Sequence, residues 1–239
     1  MAIISLEEVH KTYPLGKSEV KAVNGVSLTI QKGDFISIAG PSGSGKSTIL
    51  NLIGCIDVPS AGTVNINGTE TSTLNDHQIT ELRHKTIVFI FQSFNLIQVL
   101  TVYENIEFPL MIAKSELTSR QRQQWVEYLM GEVGLERWAH HKPNELSGGQ
   151  RQRVAIARAL VTKPQVVLAD EPTANLDSAT GESILALMQK MNRELGTTFI
   201  FSTHDARIVA LADHVIRLKD GLVVENYRQT PTQNSVVTS

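Results

Sequence analysis

The chain has 239 residues with 22 basic and 24 acidic side chains, which leaves a net charge of −2. This balance argues against a general nucleic-acid-binding protein, which carries a basic excess. The single cysteine, Cys55, excludes an internal disulfide framework and favours a reducing compartment. Because no segment has the length of a membrane span or the layout of a signal peptide, we expect a soluble, cytosolic protein.

The N-terminal part is rich in predicted strands. Residues 1–38 are typical of short strands, and the alternation at 26–30 indicates a half-buried antiparallel one. The apolar strand at 35–39 leads into the glycine-rich stretch GPSGSGKST and an apolar helix at Ile49–Ile53. The elements predicted next are a strand at 63–67, a polar helix at 76–85 and an apolar strand at Ile87–Phe91.

The middle of the chain, from about 93 to 146, is helical in character and is predicted to be a lobe inserted into a parallel α/β core. The last part is predicted to be a helix to Thr162, a strand at 166–169, a helix at Ser178–Leu195, a strand at 198–202, a short helix and a hairpin that turns at Asp-Gly. We interpret residues 1–227 as one domain and 228–239 as a disordered tail.

The segment GPSGSGKST fits the phosphate-loop pattern, with a strand before it and a helix after it. Glycines let successive N–H groups converge on phosphate oxygens. Lys46 is placed to reach the β- and γ-phosphates, and the Ser47 hydroxyl to ligate Mg²⁺. The alternative is a plain Gly/Ser-rich turn, but the flanking strand and helix favour a nucleotide site.

A second pattern, VVLADEPTANLD, covers residues 166–177. Asp170 ends an apolar strand at the edge where ligands of α/β sheets bind, and there it can hold the same Mg²⁺ through water. Glu171 beside it can accept a proton from an attacking water, or it is a surface charge after a strand. His204 ends the next predicted strand and can contact the γ-phosphate or orient that water.

Two further residues are weak candidates when taken alone. Gln92 follows a buried strand and is either a site residue or an ordinary loop glutamine. Tyr13 is an aromatic residue in the N-terminal strands that either packs in the core or stacks on a purine.

The segment ELSGGQRQRVAIARAL, from residue 145, places two glycines at the start of a long predicted helix. A helix N-terminus presents unpaired N–H groups and the positive end of a dipole, so it is suited to an anion. The alternative is an ordinary helix cap. The following arginines, Arg151, Arg153 and Arg158, have no specific role assigned from sequence.

Together these motifs resemble the ATP-binding cassette (ABC) family over about residues 3–225, and LSGGQ at 146–150 is the family's own signature. The resemblance implies a phosphate-loop NTPase (RecA-like) fold with an N-terminal antiparallel β subdomain and an inserted helical subdomain. It implies ATP and Mg²⁺ as cofactors, a Q-loop at Gln92, a D-loop at TANLD and an adenine-stacking Tyr13. The implied nucleotide-binding residues are Tyr13, Gly40, Pro41, Ser42, Gly43, Ser44, Gly45, Lys46, Ser47, Thr48, Ser147, Gly148, Gly149, Gln150 and Asp177. The implied metal ligands are Ser47, Gln92 and Asp170, and the implied catalytic residues are Lys46, Gln92, Glu171 and His204.

The resemblance also implies how the protein works. In this family two copies close head to tail, so that the signature loop of one chain caps the ATP held by the other. The chain is then an ATPase motor subunit beneath a separate membrane permease, at the cytoplasmic face of the membrane, most similar to lipoprotein-release and macrolide-exporter ATPases. An ATPase module that signals in cell division or antibiotic sensing, without transport, remains the alternative. A role on DNA or ribosomes is disfavoured by the slightly acidic charge and the single cassette.

Overall fold

The computed structural model describes residues 1–16, 18–113 and 117–229. Residues 114–116 of the expected helical lobe and 230–239 of the expected tail lie outside this range. The elements in chain order are β1 (Ala2–Leu15), β2 (Ser18–Gln31), β3 (Phe35–Ala39), α1 (Lys46–Ile53), β4 (Ala61–Ile66), β5 (Thr69–Glu70), α2 (Asp76–Thr86), β6 (Ile87–Ile90), α3 (Val102–Ile112), α4 (Ser119–Glu132), α5 (Gly148–Leu160), β7 (Val166–Asp170), α6 (Ser178–Leu195), β8 (Thr198–Thr203), α7 (Ala206–Leu211), β9 (His214–Lys219) and β10 (Leu222–Arg228).

The chain divides into two compact units. The first unit contains Met1–Ile79 and the described residues from Thr198 onward, and the second contains Thr80–Thr197. Helices and strands alternate along the core segments of both, so the α/β class predicted from the sequence is confirmed.

The first unit begins with a four-stranded antiparallel sheet in the order β2-β1-β4-β5. The expectation of several short strands before residue 38 is wrong, because β1 and β2 each run for 14 residues and pair along most of their length. Register shifts, such as the one between Leu6 and Val9, change which face a side chain points to. They break the alternation in the sequence while the pairing continues, so one long strand reads as two short ones.

A second set of strands in this unit has the order β10-β9-β3-β8. β3 pairs in parallel with β8 and β9, while β9 and β10 form an antiparallel hairpin. The hairpin turns at Asp220 and Gly221, which both have positive φ (50° and 78°), as a tight two-residue turn of this kind requires. The core of this unit includes Phe35 of β3 and Phe201 of β8, which are buried and whose ring centroids are 4.6 Å apart.

The last strand, β10, extends one residue past the domain boundary predicted at residue 227. Arg228, assigned to the tail, is the last residue of β10, and its guanidinium donates to both carboxylate oxygens of Asp34 at 3.0 and 2.8 Å. Gln229 then donates to the carbonyl of Val209 at 2.7 Å. The polar composition that suggested a tail thus includes two side chains, those of Arg228 and Gln229, that hydrogen-bond to the fold.

In the second unit, β6 and β7 pair in parallel and α5 packs on β6. Helices α3 and α6 pack on α5, and α4 packs on α3. Apolar residues at helical spacing form the buried face of α6: Ile184, Leu187, Met188 and Met191 are buried, and Leu195 is half-buried. Helices α3 and α4 each begin with a capping box, built on Thr101 and Thr118 respectively. These caps fix the start of both helices in the region predicted to be a helical lobe.

Candidate nucleotide-binding and catalytic site

The phosphate loop in the first unit connects β3 to α1. Gly45 is the N-cap of α1 with φ of 100°, and a Cβ there would lie 2.3 Å from the Ala22 carbonyl oxygen. At Gly40 a Cβ would lie 2.3 Å from the Leu218 carbonyl oxygen. Only glycine fits either position, so the loop curls with its backbone close to neighbouring chain segments, and in a glycine-rich loop of this kind successive N–H groups can converge on phosphate oxygens.

The side chain of Lys46 is folded back over this loop. Its Nζ donates to the carbonyl oxygens of Gly40 and Pro41 at 2.8 and 2.9 Å, and the residue is buried. The ammonium group is therefore held at the centre of the loop by neutral acceptors. An incoming phosphate would offer the same group charged acceptors, which make stronger hydrogen bonds.

His204 lies at the same sheet edge as the phosphate loop. β3 and β8 pair with Ala39 opposite Thr203, so Gly40 and His204 are the next residues on adjacent parallel strands. The His204 side chain is exposed. The first unit also brings Tyr13 of β1 next to α1, because the side chain of Thr48 hydrogen-bonds to the Tyr13 hydroxyl.

The second unit contains the predicted carboxylates. β6 and β7 pair with Ile90 opposite Ala169, so Gln92 and Asp170 follow at the same strand edge. Glu171 has a φ of 46°, in the left-handed region that costs a non-glycine residue about 1–2 kcal/mol. Such strain is concentrated at functional sites, which supports a special role for Glu171.

The signature segment forms the N-terminus of α5. Ser147 is its N-cap: the hydroxyl accepts from the Gln150 N–H at 3.3 Å, and the Gln150 side chain accepts from the Ser147 N–H at 2.8 Å. The N–H groups of Gly148 and Gly149, in the first turn, have no acceptor inside the helix. The cap therefore leaves two amides of the signature loop available for an anion.

The signature loop packs on the D-loop and on the first turn of α6: a Cβ at Gly148 would lie 3.6 Å from Cδ2 of Leu176 in the D-loop. A Cβ at Gly149 would lie 2.5 Å from Cγ2 of Thr180. Asp177, expected to bind nucleotide, is the N-cap of α6, and its carboxylate accepts from the Thr180 N–H at 3.0 Å. Hydrogen bonds from Thr180 lower the pKa of Asp177. Its nucleotide-binding role stays a prediction beside this capping role.

Sequence reasoning missed how the Q-loop is held. The Arg158 guanidinium donates to the carbonyl oxygens of Phe94 and Asn95 at 2.8 and 2.6 Å, and burial lowers its pKa. Arg151 lies over the Phe94 ring at 5.4 Å from the centroid. The Asn175 side chain of the D-loop donates to the Gln92 carbonyl at 3.0 Å. The only sequence signal was the spacing of Arg151 and Arg158, which is compatible with one helix face.

The third arginine of the signature helix has a different structural role. The Arg153 guanidinium donates to the Val133 carbonyl at 2.9 Å and to the Ser183 hydroxyl at 2.6 Å. It therefore ties α5 to the end of α4 and to α6.

The site residues fit the cofactors that the sequence implies. The phosphate loop is a cradle that a Cβ would fill, which suits a polyphosphate approached by backbone N–H groups. The predicted metal ligands offer hydroxyl, amide and carboxylate oxygens, the hard donors that Mg²⁺ prefers.

Comparison with known proteins agrees with this geometry. Residues 23–174 match the ABC transporter family. The chain is 48% identical over 223 residues to MJ0796, an uncharacterized ABC transporter ATP-binding protein of Methanocaldococcus jannaschii, covering 92% of this chain and 95% of that protein. It is 42% identical to the macrolide export ATP-binding/permease protein MacB of Mannheimia succiniciproducens, covering 99% of this chain but 36% of that protein.

A solved structure of MJ0796, described as a dimer in a post-hydrolysis state bound to ADP and Pi, superposes with a TM-score of 0.85. It has 46% sequence identity to this chain and covers 94% of it and 98% of the solved chain. The protein therefore belongs to the ABC transporter family and is an ATPase cassette of that family, as the motifs predicted. Within the described residues, no helix is long and apolar enough to cross a membrane.

Proposed function

We propose that this chain is the motor subunit of a membrane transporter and that it works as a head-to-tail dimer. The capped N-terminus of α5 carries this proposal. It offers the amides of Gly148 and Gly149 to an anion but provides no lysine, while the same chain has a complete phosphate loop with Lys46. The two anion-binding sites are complementary if two copies of the chain share each ATP. The phosphate loop of one copy then supplies the lysine, and the N-terminus of α5 of the other copy supplies further N–H donors. The dimeric ADP- and Pi-bound state described for MJ0796 supports this arrangement.

In this proposal the phosphate loop and Tyr13 bind the nucleotide of their own chain. The backbone of Gly40 to Thr48 holds the phosphates, Lys46 neutralises the β- and γ-phosphates, and Tyr13 stacks on adenine. Ser147, Gly148, Gly149 and Gln150 contact the γ-phosphate held by the partner copy, with Asp177 beside them.

The remaining site residues act on the terminal phosphate. Ser47, Asp170 and Gln92 hold Mg²⁺, which neutralises developing charge when it is bound. Glu171 accepts the proton of the attacking water, and general-base catalysis of this kind contributes about 10²–10⁴ in rate. His204 donates to the γ-phosphate or orients that water.

The decisive experiment is Glu171→Gln at saturating ATP with Mg²⁺. We expect ATP turnover to fall by about 10² or more while ATP stays bound, so that a dimer accumulates in size-exclusion chromatography with light scattering. Glu182→Gln, an exposed carboxylate change on α6, is the matched control and should turn over ATP normally. A Glu171→Gln protein that binds ATP and remains monomeric would contradict the head-to-tail dimer.

We further propose that the second unit docks on a separate membrane-spanning permease, which places the protein at the cytoplasmic face of the membrane. Exposed apolar side chains surround the Q-loop and the helical segment after it, namely Phe91, Val99, Met111 and Ile112. Contiguous exposed apolar side chains mark protein contact surfaces, and we infer that these four residues form one such surface. The relative MacB is named as an ATP-binding/permease protein, whereas MJ0796 is named as an ATP-binding protein and matches this chain along nearly its whole length.

Docking is tested by co-purification in mild detergent. The wild-type chain should retain a permease, and Val99→Asp with Met111→Asp should lose it while ATP hydrolysis by the isolated chain is unchanged. Retention of the permease by the doubly charged variant would move the docking surface elsewhere.

A further inference from the structure

The side chain of Asp57 joins two residues of β1 that lie two positions apart. Its Oδ2 accepts a hydrogen bond from the Tyr13 hydroxyl at 2.6 Å, and its Oδ1 accepts one from Lys11 Nζ at 2.6 Å. Lys11 also donates to the carbonyl of Val58 at 2.9 Å. Both side chains therefore reach the same side of β1, where one carboxylate holds them.

The same cluster occupies one face of the Tyr13 ring. Lys11 Nζ lies over the ring, 4.9 Å from its centroid, in a cation–π arrangement. A flat ligand can then stack only on the opposite face.

The cluster is shielded enough to be well ordered. The side chain of Lys11 is 11% exposed to solvent, and that of Asp57 is 25% exposed. Burial alone would raise the pKa of Asp57, but the hydrogen bonds from Lys11 and Tyr13 lower it below its usual value. Burial and the Asp57 carboxylate both raise the pKa of Tyr13, so at neutral pH the phenol remains the donor and the carboxylate the acceptor.

The cluster is also tied to the phosphate loop. The side chain of Thr48, in the first turn of α1, hydrogen-bonds to the Tyr13 hydroxyl. Asp57 lies in the segment that follows the same helix. The hydroxyl end of the phenol is therefore held by Thr48 at the start of α1 and by Asp57 after its end, and α1 begins at the phosphate loop.

We propose that Asp57 is a positioning residue for nucleotide binding, which fixes the Tyr13 ring so that the face opposite Lys11 can stack on the purine base. This inference rests on the proposed function, in which Tyr13 contacts adenine. Without Asp57 the Tyr13 side chain would be free to rotate before the nucleotide binds. Binding would then have to order it, and the entropy lost would lower the affinity for the base.

The experiment compares ADP with inorganic pyrophosphate, because only ADP has a base to stack. Binding of each, with Mg²⁺, is measured by isothermal titration calorimetry on the full chain. We expect Asp57→Asn to weaken ADP by about threefold to tenfold, the range of one hydrogen bond, and to leave pyrophosphate unchanged. Glu19→Gln, an exposed carboxylate change on β2, is the control and should alter neither.

Tyr13→Phe provides the second variant, since it keeps the ring and removes the other end of the same hydrogen bond. It should weaken ADP as much as Asp57→Asn, and the double variant should be no weaker than either single one. Equal weakening of ADP and pyrophosphate by Asp57→Asn would show a merely structural role. If the double variant weakens ADP binding by the product of the two single effects, Asp57 acts independently of Tyr13. Each of these two results would overturn the proposal.

The outcomes separate this proposal from the function on which it rests. A wild-type chain that binds pyrophosphate as tightly as ADP would contradict the stacking role of Tyr13, and Asp57 with it. A wild-type chain that prefers ADP, with the preference intact in Asp57→Asn and in Tyr13→Phe, would overturn the Asp57 proposal alone.

Discussion

The Asn175 side chain donates a 3.0 Å hydrogen bond to the backbone carbonyl of Gln92. It connects the D-loop, which runs into the cap of α6, with the Q-loop, which follows β6. Because the acceptor is a main-chain group, the bond positions the loop backbone whatever side chain occupies position 92. A movement of the D-loop can therefore be transmitted directly to the Q-loop.

Replacement of Asn175 by Ala should loosen the Q-loop. One hydrogen bond contributes about 1 kcal/mol, so we expect amide hydrogen exchange in residues 93–95 to rise about fivefold. Hydrogen–deuterium exchange with mass spectrometry measures this. Gln92→Ala keeps the acceptor carbonyl and is the control, and equal protection in Asn175→Ala and wild type would contradict the link.

Arg158 should make the largest single contribution to holding the Q-loop. Its two hydrogen bonds reach the carbonyls of Phe94 and Asn95, which both have positive φ (60° and 47°). Arg158→Met leaves two carbonyls without their charged donor, and we expect the free energy of unfolding to fall by about 2–3 kcal/mol. Urea denaturation followed by circular dichroism measures it.

A neighbouring arginine gives the comparison for Arg158. Arg151 contacts the Phe94 ring only through a cation–π interaction, so Arg151→Met should cost about 1 kcal/mol or less. If Arg158→Met and Arg151→Met lower the free energy of unfolding equally, the hydrogen bonds of Arg158 to the two carbonyls do not account for its contribution to stability.

Gly45→Ala should destabilise the protein far more than Gly68→Ala. Both glycines have a positive φ, but only at Gly45 does neighbouring backbone crowd an added methyl group. At Gly45 the positive φ and the 2.3 Å approach to the Ala22 carbonyl act together, and we expect a loss of about 2–5 kcal/mol and of ADP binding. Gly68 also has a positive φ, of 79°, but an added Cβ would meet nothing within 4 Å. Gly68→Ala should therefore lower the free energy of unfolding by about 1–2 kcal/mol and leave ADP binding intact. Equal losses in a denaturation series would mean that the loop can shift to accept the methyl group.

Two substitutions of Ser147 should separate its capping role from its contact with nucleotide. Asp is as good an N-cap as Ser, so Ser147→Asp should keep the stability of the fold, whereas Ser147→Ala should lose about 1 kcal/mol. In the Glu171→Gln background, Ser147→Asp should abolish the ATP-dependent dimer because its charge repels the γ-phosphate. Ser147→Ala should weaken the dimer less.

The contrast between the two Ser147 variants is the test. Thermal unfolding measures the first ranking, and light scattering with ATP measures the second. If Ser147→Asp dimerises as well as Ser147, the signature loop does not face a phosphate.

The elements that could be predicted from the sequence are those set by neighbours along the chain. The bounds of α6 are Ser178–Leu195 as predicted, because its apolar spacing and its Asp177 cap are local. The Asp-Gly turn of the last hairpin was predictable for the same reason. The length of β1 and β2 was not predictable, since bulges broke the alternation, and the anchoring of Arg228 depends on Asp34, far away in sequence.

The sequence by itself determined the phosphate loop, the signature helix start and the strand-end carboxylates, because each is a local backbone conformation that demands particular residues at fixed spacing. Only the tertiary structure decided what holds these motifs in place. Tyr13 and Asp57 are 44 residues apart, Arg158 and Phe94 are 64 apart, and Asn175 and Gln92 are 83 apart. Two of these three acceptors are main-chain carbonyls, and since every residue has one, no residue type marks them before the chain is folded.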